Sequence, residues 1–258
     1  MIITTAPQLK KKDFIAFDIS LGTYAEFVSE VIEMAESRTS AYTCVANVHM
    51  LVEAYRDPLF ANIVKQAHLV SPDGMPLAKG LKLLYGLDQE RIAGMDLLPD
   101  LLAASEEKNI PVYFYGGTEE MLQETEKFCR EEYPGLSIAG SYSPPFRELD
   151  EREDAEVVER INGSGAALLF VALGCPKQEK WMAAMKGRID AAMIGIGGAL
   201  PVMIGLQKRA PLWMQRFALE WFFRLCQEPR RLFKRYAVTN NYFLYLLLKT
   251  WLKRKELN

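Results

Sequence analysis

The chain has 258 residues, half of them hydrophobic and a quarter charged, which suits one large or two modest globular domains with a substantial core. A net charge of -2 excludes a global basic field of the kind that gathers nucleic acid, but the charge is uneven: residues 224–255 hold nine Lys/Arg against one acid, Glu228, on an otherwise acidic chain. Four cysteines with no C-x-x-C pair, and two histidines, His49 and His68, support neither a zinc site nor a disulfide framework, and free thiols fit a reducing cytoplasm.

Met1–Gln8 has no secretory-leader pattern and is followed by Lys10-Lys11-Lys12. The predicted elements then alternate. Phe14–Ile19 reads as a strand, Thr23–Glu36 as an amphipathic helix, Ala41–Ala46 as a buried strand, and Val48–Tyr55 as the start of a helix. His68–Ser71 is a short strand running into Pro72-Asp73-Gly74, followed by helices over Met75–Tyr85 and Asp96–Lys108. Val112–Tyr115 is a strand closed by Gly116-Gly117. Glu119–Tyr133 is a helix, Ser137–Ser141 a strand, Glu151–Asn162 a helix, Ala167–Leu173 a strand, Lys177–Lys186 a helix, and Ala191–Ile196 a strand closed by Gly197-Gly198. This alternation predicts an α/β fold, a mostly parallel sheet with helices on both faces.

The pattern changes near residue 205. Trp213–Cys226 is helical, aromatic and Arg-rich; Glu228-Pro229 interrupts it, and Arg230–Leu252 resumes as a basic, apolar helix. Residues 1–205 therefore read as an α/β core and 206–258 as a helical appendage too small to stand alone, which covers the body, lies on a membrane, or does both. Its longest apolar run, Tyr242–Leu248, falls far short of the roughly 18 residues of a spanning helix. Aromatic rings mixed with Lys/Arg suit an anionic membrane surface, and the same rings suit packing on the body.

Several residues sit where α/β proteins place ligands, at the carboxyl ends of strands. Gly174-Cys175-Pro176-Lys177-Gln178-Glu179 turns a strand into a helix start, where free backbone N–H groups favour an anion; an ordinary turn is the alternative. Asp73 follows a strand directly, as a general base does, and an aspartate there also suits a helix cap. Asn47 ends another strand, able to bond a sugar or phosphate or to cap, and His49 beside it reads as structural. Gly116-Gly117 brings backbone near a phosphate or makes a tight turn. No acid follows at the spacing a dinucleotide ribose needs. No Asp-x-Asp sequence occurs to hold a metal against a diphosphate, so cations would come from Arg91, Arg209, Arg224, Arg231 and Arg235.

Taken in order, these blocks resemble the WecG/TagA/CpsF family of bacterial glycosyltransferases. The matching residues are Asn47, Pro72-Asp73-Gly74, Glu90-Arg91-x-x-Gly94-x-Asp96-Leu97, Tyr115-Gly116-Gly117 and Gly174-x-Pro176-Lys177-Gln178-Glu179. Gly195-x-Gly197, Lys208-Arg209-Ala210-Pro211 and Glu220-Trp221-x-x-Arg224-Leu225-x-x-Glu228-Pro229-x-Arg231 continue them. The resemblance implies a Rossmann-like core and an appendage that reaches the cytoplasmic face of the plasma membrane and helps complete the site. It implies an inverting enzyme without metal or other cofactor, which moves a sugar from a UDP-sugar to a saccharide on polyprenyl diphosphate in cell-surface polysaccharide synthesis. The sugar would be N-acetylmannosamine-, N-acetylmannosaminuronic-acid- or glucuronic-acid-like. Asp73 would be the base, Asn47 and Gln178 donor-site residues, and Arg224 and Arg231 the appendage arginines. Val45 and Leu200-Pro201 depart from the family, which often has Thr and Phe-Asp there. Oligomeric state is left open by the sequence, with the appendage's apolar face a surface on which another subunit could pair to form a homo-oligomer. The rival reading is a non-catalytic nucleotide- or nucleic-acid-binding α/β protein with a basic tail.

Overall fold

A computed structural model describes residues 9–217 and 219–257. Met1–Gln8, where no secretory leader is read, lie outside the described residues. Lys11–Phe14 (β1) and Phe17–Ser20 (β2) pair antiparallel as a hairpin. The sequence predicts one strand across this stretch; the chain instead reverses at Ile15, at φ 64°, with Ala16 N donating to Phe14 O at 2.7 Å. In a single strand Phe14 and Phe17 would face opposite ways. The reversal pairs them, and both are fully buried in one core.

Helix α1 (Tyr24–Glu36) opens on a capping box between Thr23 and Glu26, and leads to β3 (Tyr42–Ala46). Helix α2 (Val48–Arg56) is followed by α3 (Pro58–Lys65), a separate helix that the sequence reading passed over. Its signal was Asp57-Pro58: the Asp57 carboxylate accepts from Leu59 N and Phe60 N, and Pro58 takes the first helical position. Then come β4 (Leu69–Pro72), α4 (Met75–Tyr85), α5 (Gly94–Glu107), β5 (Val112–Gly116), α6 (Glu119–Glu132) and β6 (Ile138–Tyr142). Helix α7 (Glu151–Gly163), β7 (Leu168–Ala172), α8 (Lys177–Met185), β8 (Ala192–Gly195) and the short α9 (Ala199–Met203) complete the body.

Six strands form one parallel sheet in the order β4-β3-β8-β7-β5-β6. Alternate residues of its inner strands enter two cores. Tyr42, Cys44, Tyr113, Tyr115, Leu169 and Val171 face one side, with α2, α4 and α8; Val45, Val112, Phe114, Leu168 and Phe170 face the other, with α1 and α5. Both faces are thus covered, as a parallel sheet requires.

The segment expected as one helix over Trp213–Cys226 is two, α10 (Leu212–Arg216) and α11 (Glu220–Gln227). The long α12 (Pro229–Leu257) then returns across the body and packs on α2 and α4. Phe243 and Leu246 are buried in the same core as Tyr42 and Met50, worth roughly 1.5–3 kcal/mol each by area removed from water. The aromatic character of the tail is therefore partly packing. Among the described residues no helix is long and apolar enough to cross a membrane.

Candidate active site

The carboxyl ends of β3, β4, β7 and β8 open into a cleft of ≈ 460 Å³, and the face of α12 bearing Arg231, Arg235 and Thr239 closes its far side. These three follow one another at i, i+4 and i+8, one stripe of a helix. The cleft is shared between strand ends and appendage.

Asp73 stands at its floor, one residue past β4. It does not cap α4, whose N-cap is Gly74 with no side-chain cap; its Oδ1 accepts instead from Gly94 N at 3.1 Å. Burial first, and then the Glu220 charge, push its carboxyl up to about 6, against the Gly94 N–H, Arg91 and Arg224. A carboxylate so placed can accept a proton from a hydroxyl near neutral pH.

Asn47 caps α2, Oδ1 accepting from Met50 N at 3.2 Å, and also lines the cleft. Gly174 lines it too, at φ 77°, with open space where a side chain would stand. Its N–H is engaged: it donates to Gln178 Oε1 at 3.1 Å, while Gln178 Nε2 donates to Glu179 Oε1 at 2.7 Å. Gln178 fills the space that the glycines of the β8 turn leave, since a side chain at Gly195 would begin 2.7 Å from its amide. Both ends of this amide are tied into the turn. Burial pushes the Glu179 carboxyl up to about 7, against the bonds from Gln178 and Cys175.

Arg91, Arg224 and Arg231 line the cleft. Arg91 is clamped, Nη1 donating to Glu220 at 2.6 Å and Nη2 to Asp96 at 3.0 Å. Arg224 lies over Gly198, where a side chain would begin 2.8 Å from its Nη2. Arg231 pairs with Glu228. Arg209 stands behind the cleft wall, bonded to Asp96 and to Gln215. Gly116, Gly117 and Lys177 are not among the cleft-lining residues: the glycines turn the chain at the end of β5, and Lys177 opens α8 outside the cleft. Of the departures, Val45 offers a nearly buried hydrocarbon to the cleft, Leu200 is buried, and Pro201 lines the wall, so neither position supplies a polar group there.

Sequence reasoning quoted Glu220 in a matched block without giving it a role, and passed over Thr239 and the cleft placement of His49. Burial, then the Arg235 charge, hold His49's proton affinity down, against Glu53 at 3.9 Å. Only the helical stripe of α12 could have announced Thr239; the pairing of Glu220 with Arg91 and the placement of His49 need the tertiary fold.

The sequence model of the Glycosyl transferase WecG/TagA/CpsF family matches residues 12–257. The chain belongs to that family. It is 34% identical over 197 residues to the N-acetylglucosaminyldiphosphoundecaprenol N-acetyl-beta-D-mannosaminyltransferase of Bacillus spizizenii, covering 76% of this chain and 75% of that one. It is 32% identical over 213 residues to the Bacillus subtilis protein of the same name, covering 82% and 81%. The chain is thus a glycosyltransferase, and the rival reading of a non-catalytic binding protein falls away.

Proposed function

We propose that this glycosyltransferase moves an N-acetylmannosamine-type sugar from a UDP-sugar to a saccharide carried on polyprenyl diphosphate, by one inverting displacement without metal. The observation that carries the reading is Asp73, a carboxylate of raised proton affinity on the floor of a cleft walled by arginines. The acceptor hydroxyl oxygen attacks the anomeric carbon as Asp73 takes its proton. The bond from that carbon to the UDP oxygen breaks, and UDP leaves with the electron pair. Arg224, Arg231 and Arg235 face the cleft where that charge develops, and fixed cations at developing charge supply a few kcal/mol. General-base help contributes about 10²–10⁴-fold. The two Bacillus relatives are named for N-acetylmannosaminyl transfer with a diphosphoundecaprenol-linked sugar, which supports both the sugar and the acceptor class.

A membrane-proximal acceptor also fits the outer surface of the appendage. Leu212, Trp213, Phe217, Phe233, Leu244 and Leu248 are exposed there, on a segment rich in Lys and Arg, a combination that suits peripheral contact with anionic lipid on the cytoplasmic face. The test is UDP release from a panel of UDP-sugars with a short-chain polyprenyl diphosphate saccharide, with and without EDTA. Turnover that requires the lipid acceptor and survives EDTA supports the reading and names the donor. Absence of turnover with every donor refutes it.

A further inference from the structure

Glu220 reaches the cleft from outside the sheet. It opens α11, and its Oε2 accepts from Arg91 Nη1 at 2.6 Å. The other edge of the same guanidinium donates to Asp96 Oδ2 at 3.0 Å and to Gln215 Oε1 at 3.3 Å. Arg209 bonds Asp96 and Gln215 from behind. A row of alternating charges, Glu220, Arg91, Asp96, Arg209, thus fastens the appendage to the start of α5, whose first N–H holds Asp73. The Arg91 side chain is only 14% exposed and that of Glu220 22%, so water screens this pair less than the more open Asp96 and Arg209.

The groups whose charge reaches Asp73 are Glu220, Arg91 and Arg224, together with the Gly94 N–H. Two cations and an N–H group favour the ionised carboxylate and make it a poor proton acceptor. Burial opposes them most, Glu220 is the acid that adds to it, and Glu220 also holds Arg91 Nη1.

We propose that Glu220 is a positioning residue for the Asp73 base: it fixes Arg91 at the cleft wall and adds the negative charge that, with burial, makes Asp73 a better proton acceptor between two arginines. This rests on the reading of Asp73 as the base. Docking of α11 then contributes to the strength of the base as well as to the shape of the cleft, and an undocked appendage leaves Arg91 held by Asp96 alone.

The test uses the full chain with its aspartates labelled by ¹³C at the carboxyl carbon. The Asp73 resonance is the one absent from Asp73→Asn. Glu220→Gln should lower its titration midpoint by roughly 1 unit, the size a single nearby charge commands, and move the acid limb of kcat/KM the same way. Glu220→Ser, smaller and also uncharged, should do the same and guards against a glutamine that disrupts folding. Glu220→Asp, which keeps the charge, should leave the midpoint near that of the wild type. A midpoint unmoved or raised by the uncharged variants, or moved equally by Glu220→Asp, overturns the proposal. The resonance reports Asp73 whether or not sugar is transferred. An active wild type whose Asp73 ignores Glu220→Gln therefore refutes the proposal alone, whereas a wild type inactive with every donor refutes the functional reading and this proposal with it.

Discussion

Asp73→Asn should make this protein a worse enzyme and a more stable one, and the gain should depend on pH. The carboxyl is pushed from its ordinary 3.8 to about 6, with burial as the largest cause. The folded state therefore holds a proton that the unfolded chain releases. The stabilisation tied to that proton is fully present below the unfolded value, and it is lost as pH rises through about 6. At about 1.4 kcal/mol for each tenfold change in proton affinity, the whole loss is at most about 3 kcal/mol. Asparagine keeps an oxygen for the Gly94 N–H and carries no charge to bury. Urea denaturation should then show Asp73→Asn more stable than the wild type by about 2–3 kcal/mol at about pH 7.5, with the gap closing toward about pH 4. The same variant should lose about 10²–10⁴-fold in transfer rate. A gap independent of pH, or a variant less stable at neutral pH, would show that Asp73 is not held in a site hostile to its charge.

The remaining expectations separate structural from chemical roles. Gly116→Ala places a Cβ 2.8 Å from the Ala172 carbonyl at φ 107°, so a loss of about 1–3 kcal/mol in thermal or urea melts, with donor KM unchanged, is expected if the residue only turns the chain. A raised KM at unaltered stability would instead put Gly116 against the substrate. Glu179→Gln should flatten the pH dependence of stability, because the raised Glu179 carboxyl costs the wild type stability as pH rises through about 7; parallel melts of both proteins across that range check it. Leu246→Ala opens a hole where α12 meets the body and should cost about 2–5 kcal/mol, and hydrogen exchange should show the loss concentrated in α12, with transfer falling before the sheet unfolds.

Much of the fold was legible because both faces of the sheet are buried. Runs such as Leu168–Ala172 and Tyr42–Ala46 are largely apolar and run into Gly or Asn within a residue or two, so strand and boundary announce themselves together. The hairpin of β1 and β2 was not legible, because its turn uses Ile15 at positive φ rather than Gly or Asn, and only the pairing of Phe14 with Phe17 in the core accounts for it. The break between α10 and α11 carries no proline or glycine either.

In the cleft, position after a strand was legible: Asn47, Asp73, Gly174 and Gln178 each sit shortly past a strand end, and all four line it. Pairing was not. Arg91 and Arg209 look in sequence like free phosphate ligands, yet both are bonded to Asp96, more than 100 residues before Arg209 in the chain. Asp96 and Glu220 in turn look like helix-start acids that favour the positive end of a helix. Only the fold shows that these four charges meet, with Arg91 and Glu220 lining the cleft of Asp73. The consequence is chemical as well as structural. Burial does most to keep this base protonatable beside arginines, and the acid that adds to it arrives on α11, from the segment that also brings Arg224, Arg231 and Arg235 to the cleft. On the proposed mechanism, cations for the leaving diphosphate and the added charge for the base dock together, so a substitution that loosens this segment should cost proton transfer and leaving-group stabilisation at once.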